Sequence, residues 1–519
     1  MKTHNDSCGS CEAHRSALEL RHADKIKGRL VCYDRLLLFG TLQKLHNPST
    51  LFHLLEEAGM RPFDLGSYCK PLSDSIRANA ERMAREQGLK VQFIANHNIR
   101  KEELAQAELA RRGKHPGLVC VFNAMESQQT FAPRKAGGTH RGDWIKSVSG
   151  RCSHYYFYFM DEQLGLLHLR VPTWIPFRLQ FCLNGHQWLA CRMRQRGIGF
   201  SQVDNAFTHI VDWNQAQALS AQIPVRELEA RLAHYAALCC PVAQRFGRHY
   251  LSIAQAELSL DIAFESAEAL APICEQLCRH SMLTTRIEQM AAYFDKRLSP
   301  EAQATAKFTT ITETIWCVRH YLNKQSLKLY NKGPVLRLEN TSNDVSFYRH
   351  YRKVAKQDGS SESKTAPLKK QLFSLQDLYG LMQAACRRYL EHLSLLEDSE
   401  IGRHNLDEIT RPKRDEKQRS WRGFNFFLAT DLNLMLSLLR GEGQISGWTH
   451  RRLRAVMSTS HSSSQISRML RRLREHGLLR RIRGTFTYYL TSLGKTALVA
   501  ALKIKEHLIL PTLQTPLIN

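Results

Sequence analysis

At 519 residues, with 73 lysines and arginines against 48 aspartates and glutamates, the chain carries a formal charge of +25 and is too long for one ordinary core. Close to half of that excess falls in the last ~120 residues, which favours a polyanionic partner and makes nucleic acid the economical expectation. No run approaches ~20 apolar residues, and the N-terminus lacks the apolar core of a signal peptide, so no membrane span is expected and the cytoplasm is the expected location.

Residues 1–27 read as a loose tail. Within it Cys8-x-x-Cys11-x-x-His14 offers three soft ligands for zinc, although no second cysteine pair at finger spacing follows. The other cysteines, such as Cys32, Cys120, Cys182 and Cys317, sit in apolar settings and read as small buried hydrophobes. Cys274 and Cys278 share one helical face with core packing as their role.

Residues 28–265 predict an α/β body with a mixed sheet. Apolar strands at 29–40, 91–95 and 117–123 alternate with helical patterns at 50–58, 73–87 and 101–112, and an antiparallel pair follows at 154–160 and 166–171. From 177 to about 297 the pattern is mainly helical, as at 187–196, 225–237 and 267–280.

On the first strand, a period of two turns Asp34 to the same side as Cys32, Leu36 and Leu38. A carboxylate among apolar neighbours requires an arginine, a hydrogen-bonded network or a divalent metal. An acidic residue on the first strand is similar to the start of a ribonuclease-H-like metal site; that likeness implies Mg²⁺ or Mn²⁺ held by Asp34 with further carboxylates, for which Asp161, Asp204, Asp212 and Glu339 are the candidates and Asp161 and Glu339 the expected ones. Further on, the segment Val171–Trp188 concentrates Trp174, Pro176, Phe177, Arg178 and His186, which suit either base stacking or a wedge in the core. With the strands before it, this segment resembles a bacterial family of about this length whose members end in a winged helix. The likeness implies no activity.

Residues 266–400 predict an α+β region: helices and a three-strand meander at 314–322, 326–330 and 335–340. Lys328, Tyr330 and Lys332 share one face of a strand, and Arg337 and Glu339 share a face of the next. This tyrosine-lysine-glycine then arginine-x-glutamate segment resembles rolling-circle replication initiators over about twenty residues. The resemblance implies Tyr330 as a nucleophile and Glu339 as metal ligand or base. It lacks the pair of histidines flanking an apolar residue that one initiator class uses. A cationic sheet that rests on single-stranded nucleic acid is the alternative role.

A charged linker at 401–423 leads to residues 424–519. There the pattern gives helix, short strand at Ile445, helix at 448–457, helix, strand, strand, helix. Ser462 and Gln465 have capping-box spacing, Ile466, Met469, Leu470 and Leu473 form an apolar stripe, and Gly477 marks a helix end. Ser464, Ser467, Arg468 and Arg471, with Arg472 at the edge, occupy the other face. Arg480, Arg481 and Arg483 lead into a turn whose return strand is 486–490. The order of elements and the LT-x-x-G-K start of the last helix resemble MarR-type winged-helix regulators, which implies a C-terminal winged helix-turn-helix on DNA. The residues expected at DNA are Ser464, Ser467, Arg468, Arg471, Arg472, Arg451, Arg481 and Arg483. That likeness also implies a homodimer through residues 496–510.

No phosphate-binding G-x-x-x-x-G-K-[ST] loop, strand-borne G-x-G-x-x-G or G-x-S-x-G turn occurs. Two functions remain open: a DNA-binding transcriptional regulator or mobile-element factor, and a metal-dependent nuclease or replication initiator delivered to DNA by the winged helix.

Overall fold

In the computed structural model, which describes residues 15–96, 98–113, 115–137, 142–296, 317–356, 359–397, 400–439, 447–457, 461–482 and 484–504, the chain divides into two units, Met1–Glu397 and Asp398–Asn519. The first is built on β1 (Ile26–Thr41), β2 (Val91–Phe93), β3 (Gly117–Arg134), β4 (Trp144–Asp161), β5 (Gly165–Pro172), β6 (Leu179–Asn184), β9 (Tyr250–Phe264), β10 (Cys317–Leu322), β11 (Gln325–Lys332) and β12 (Val335–Ser342). Strands β7 (Phe200–Val203) and β8 (Ala206–Ile210) form a separate hairpin, as do β13 (Arg349–Ala355) and β14 (Ser361–Pro367).

The ten strands lie in the order β10-β11-β12-β9-β1-β6-β5-β4-β3-β2. All neighbours are antiparallel except β2 and β3, whose parallel pairing is bridged by the helix Lys101–Arg112. The sheet is therefore mixed, and the expected meander forms one edge of it, beyond β9.

Alternation divides the sheet into two unlike faces. Val31, Tyr33, Leu36 and Leu38 of β1, Leu258, Leu260 and Ile262 of β9, and Phe157 and Phe159 of β4 enter one large core. Helices Leu65–Glu86, Val225–Cys239, Ala267–Thr284 and Leu375–Glu397 supply its other side, each burying leucines and other apolar side chains worth about 1.5–3 kcal/mol apiece. The opposite face has only local cover. Helices Gly185–Gln195 and Trp213–Ala221 close over Leu30 and Cys32, and the helix Lys101–Arg112 closes over Phe122, Tyr156 and Tyr158.

Two expectations need correction. Asp34 does not share a face with Leu36 and Leu38. The β1–β9 register steps from Tyr33–Leu258 to Arg35–Glu257, leaving Asp34 as the extra residue of a bulge. The alternation shifts there, so Leu36 and Leu38 join Val31 and Tyr33 in the core while Cys32 lies on the other side. The second correction is β9, which lies where a mainly helical run was expected. Its alanines, glutamate and leucines are good helix formers, but a central position between β1 and β12 overrides that weak preference.

In the second unit the residues 401–423, expected to be a linker, are mostly structured. They belong to the helix Glu400–Thr410 and to the short hairpin β15 (Lys413–Arg414) and β16 (Ser420–Trp421). Ile409 is 2% exposed, in a core with Phe424, Met435, Leu438, Trp448, Leu453, Ile466, Leu470 and Leu473. Helices Ala429–Leu438, His450–Val456 and Ser463–Glu475 follow, then β17 (Leu479–Arg481), β18 (Tyr488–Leu490) and the helix Ser492–Ile504. Trp448 makes an isolated antiparallel bridge to Tyr488, which ties the segment before His450 to the hairpin.

Candidate nucleic-acid interface

The helix Ser463–Glu475 begins as its sequence requires. The Ser462 hydroxyl accepts from the Gln465 backbone N–H at 3.3 Å, and the Ser462 N–H donates to Gln465 Oε1 at 2.7 Å. Gly477 follows its end at φ +71°. Ile466, Leu470 and Leu473 are buried, so rotation about the axis is fixed and Ser464, Ser467 and Arg468 are left exposed.

Arg471 and Arg472, expected beside them at DNA, are committed elsewhere. The Arg472 guanidinium donates to both oxygens of buried Asp431 at 2.7 and 2.9 Å and to the carbonyls of Arg422 and Gly423, and it stacks 3.8 Å over Phe424. Burial raises the Asp431 carboxyl, but the hydrogen bonds from Arg472 and the Asn425 N–H outweigh it and hold the group below its ordinary value. Arg471 donates to Asp415 at 3.1 Å and lies over Trp421. Both arginines tie the helix to the segment 411–431, which sequence periodicity could not reveal.

Cations left over include Arg451 and Arg454 on the preceding helix, Arg468, and Arg480 on β17. All four are exposed, and none makes an ion pair among the described residues. Arg481 donates to the Thr485 carbonyl at 2.5 Å and lies 4.4 Å over the Phe486 ring. Arg483, Ile445, residues 505–510 and the Cys8, Cys11, His14 set lie outside the described residues.

On the less covered face of the sheet, Asp34 joins a buried network. His186 Nδ1 lies 3.1 Å from Asp34 Oδ1, and Arg337 Nη1 lies 3.6 Å from Oδ2. Arg337 grips Asp261 through Nε and Nη2, each at 2.7 Å. Asn205, at the tip of the β7–β8 hairpin, donates to Asp34 and accepts from Arg337 and Lys332. Burial raises Asp34, but His186, Arg337 and Lys332 together hold it far below the ordinary carboxylate range. Asp34 thus has both an arginine and a hydrogen-bonded network as partners. Ser259 Oγ, His186 and Asp34 also have a nucleophile-like spacing, 3.2 Å from Oγ to Nε2. Ser259 and His186 are 0% exposed, so the pair is enclosed within the buried network.

Beside this network the Tyr330 hydroxyl donates to Glu339 Oε2 at 2.8 Å, and Lys328 lies 4.0 Å over the tyrosine ring. Lys328 and Arg319 approach the Glu339 carboxylate to 3.9 Å each. Burial first, and then the Glu339 charge, push the Tyr330 phenol well up. Glu257, on β9, is pushed up to about 7 by burial, with Glu339 and Asp34 adding to the rise against the pull of Arg35.

Asp161 does not join Asp34 and Glu339. It follows Phe157 and Phe159 on the opposite, helix-covered face, where Arg231 at 2.8 Å and Tyr235 at 2.7 Å engage it. Among the described residues no three His, Cys, Asp or Glu side chains are grouped to hold a metal ion.

In the aromatic segment, Ile175 and Phe177 are fully buried in the core, Trp174 is half-buried, and the exposed Arg178 stacks on Phe39. Cys274 and Cys278 are buried in the same core, as expected of packing cysteines. Sequence reasoning missed Asn205 and Asp261 and placed His186 with the aromatic segment instead of with Asp34; the signal for Asp261 was an aspartate inside the apolar run LSLDIAF. Comparison with protein-family models, with curated proteins and with solved structures finds no match for this chain.

Proposed function

We propose that residues 424–519 form a winged helix that docks the protein on duplex DNA, serving transcriptional control or a mobile element. The observation that carries this reading is the exposed face Ser464, Ser467 and Arg468, together with exposed Arg451, Arg454 and Arg480, cations that make no ion pair among the described residues. Exposed guanidinium groups on a capped helix and its adjacent hairpin suit phosphate oxygens, and the serines suit phosphates or base edges. Helix Ser463–Glu475 is then the element in the major groove and β17–β18 the wing. Titration of labelled duplex over a salt series tests this. Arg468→Ala combined with Arg480→Ala should weaken binding and reduce the slope of log affinity against log salt by ~2. An unchanged slope overturns the assignment of these residues, and absence of salt-dependent binding by the wild type overturns the function.

A second reading, a DNA-cutting enzyme, is favoured by one observation, the hydrogen bond from Tyr330 to Glu339. A phenol held by a carboxylate, with a lysine over its ring, has the arrangement of a nucleophile and its base. Asp34 and Glu339 already face cations, so Mg²⁺ or Mn²⁺ would have to displace at least one of them. Incubation of single-stranded and duplex DNA with either ion discriminates: a covalent adduct lost in Tyr330→Phe supports the enzyme, and intact DNA throughout removes it.

A further inference from the structure

The β17–β18 hairpin exposes two apolar side chains near its tip, where a purely electrostatic contact would need only charge. Phe486 is 75% exposed and Ile482 43% exposed, and they flank the turn at Gly484, whose φ is +79°. Leaving a phenylalanine in water forgoes the burial available to it elsewhere. The tip is nonetheless well tied. Ile482 N–H donates to the Thr487 carbonyl at 3.0 Å, Thr485 N–H and Oγ1 both donate to the Ile482 carbonyl at 3.1 Å, and Thr487 N–H donates to Thr485 Oγ1 at 3.2 Å. Arg481 stacks on the Phe486 ring while donating to the Thr485 carbonyl. The ring is thus presented on a braced loop, with a guanidinium on one face.

Resting on the DNA-docking reading, we infer that Phe486, with Ile482 beside it, is a wedge that enters the minor groove and partly unstacks a base step while Arg481 and Arg480 hold the flanking phosphates. An apolar surface flanked by Arg480 and Arg481, which make no ion pair among the described residues, matches a duplex, whose backbone is anionic and whose stacked bases offer apolar faces. Insertion is least costly at flexible pyrimidine–purine steps, so the tip adds a preference for deformable sequence that no base-edge hydrogen bond supplies. The Ile482 and Phe486 side chains also pass from water to an apolar contact when they insert.

The test uses the full-length protein at low salt and an alternating T-A duplex carrying 2-aminopurine at a central TpA step. Wild type should raise the 2-aminopurine emission severalfold on binding. Phe486→Ala should abolish most of that rise and weaken binding roughly tenfold, with the salt slope unchanged because no charge is lost. Phe486→Leu should keep part of the rise. Because Phe486 is exposed, all three proteins should unfold at the same temperature, which separates the effect from misfolding. Salt-dependent binding with no emission change, or a rise equal in wild type and Phe486→Ala, overturns the wedge and leaves DNA docking intact. Absence of salt-dependent binding overturns both. Phe486-dependent binding to phosphatidylglycerol vesicles, with 2-aminopurine unchanged on duplex, likewise overturns it in favour of a lipid surface.

Discussion

At the scale of single residues, two arginines four positions apart on one helix have opposite roles. Arg472 neutralises an aspartate that is 3% exposed, and Arg468 faces solvent with no ion pair among the described residues. Removing one member of a buried pair leaves the other charge without compensation, a loss of about 3–5 kcal/mol. Arg472→Ala should therefore lower the thermal midpoint of the second unit by several degrees, whereas Arg468→Ala should leave stability within about 0.5 kcal/mol and weaken duplex binding. Thermal unfolding of the two variants beside a binding titration checks this, and equal destabilisation by both would contradict it. Sequence periodicity placed both residues on the polar side of the helix, because a helical wheel reports direction from the helix axis and not what waits there. Asp431 was the missing information: it lies about forty residues upstream, and only folding brings it to Arg472. Asp34 shows the same limit. An aspartate in an apolar run required a counter-charge, and its suppliers, His186 and Arg337, come from 152 and 303 residues downstream.

Among the elements, those defined by local chemistry were the legible ones. The capping box at Ser462, the glycine at 477 and the alternating strands of the meander all form where their residues place them, because each depends on neighbours within a few positions. Strand β9 was not legible, since its composition favours a helix and only the flanking strands β1 and β12 decide the matter. The hairpin of the second unit makes a demand of its own. Gly447 sits at φ +72°, and a Cβ there would collide with the Thr487 methyl and press on the Tyr489 ring. The next residue, Trp448, exchanges backbone hydrogen bonds with Tyr488 at 2.6 and 2.7 Å. Gly447→Ala should thus add backbone strain to overpacking, costing about 2–4 kcal/mol, and should loosen the hairpin that carries Arg480 and Arg481. Amide exchange is the measurement: the Tyr488 and Trp448 amides should lose protection in the variant, while those of helix Ala267–Thr284 in the other unit should not change.

For the whole molecule, the two units have separate hydrophobic cores and separate buried charge networks, so their responses to pH should be separable. In the first unit Asp34 and Asp261 are buried, yet His186 and Arg337 hold both carboxyls below their ordinary value. Groups with a depressed folded pKa stabilise the protein above the ordinary carboxylate value of about 3.9, and this contribution disappears as pH falls through the folded value. His186 has the opposite sign. Burial and Arg337 lower it, but Asp261 and Asp34 prevail and raise it, so its contribution is complete below the ordinary imidazole value and is lost as pH rises through the folded one. The first unit should accordingly be most stable between these limits. Arg337→Met removes the cation that both aspartates share, so their folded values rise and the acid limb of the stability curve moves to higher pH. Calorimetry from about pH 3 to about pH 8 should resolve two transitions. The variant should shift the acid limb of the first and leave the second, which depends on Asp431 and Arg472, where it was. A single transition in the wild type, or equal movement of both in the variant, would show that the two cores unfold as one and that the network stabilises the molecule as a whole.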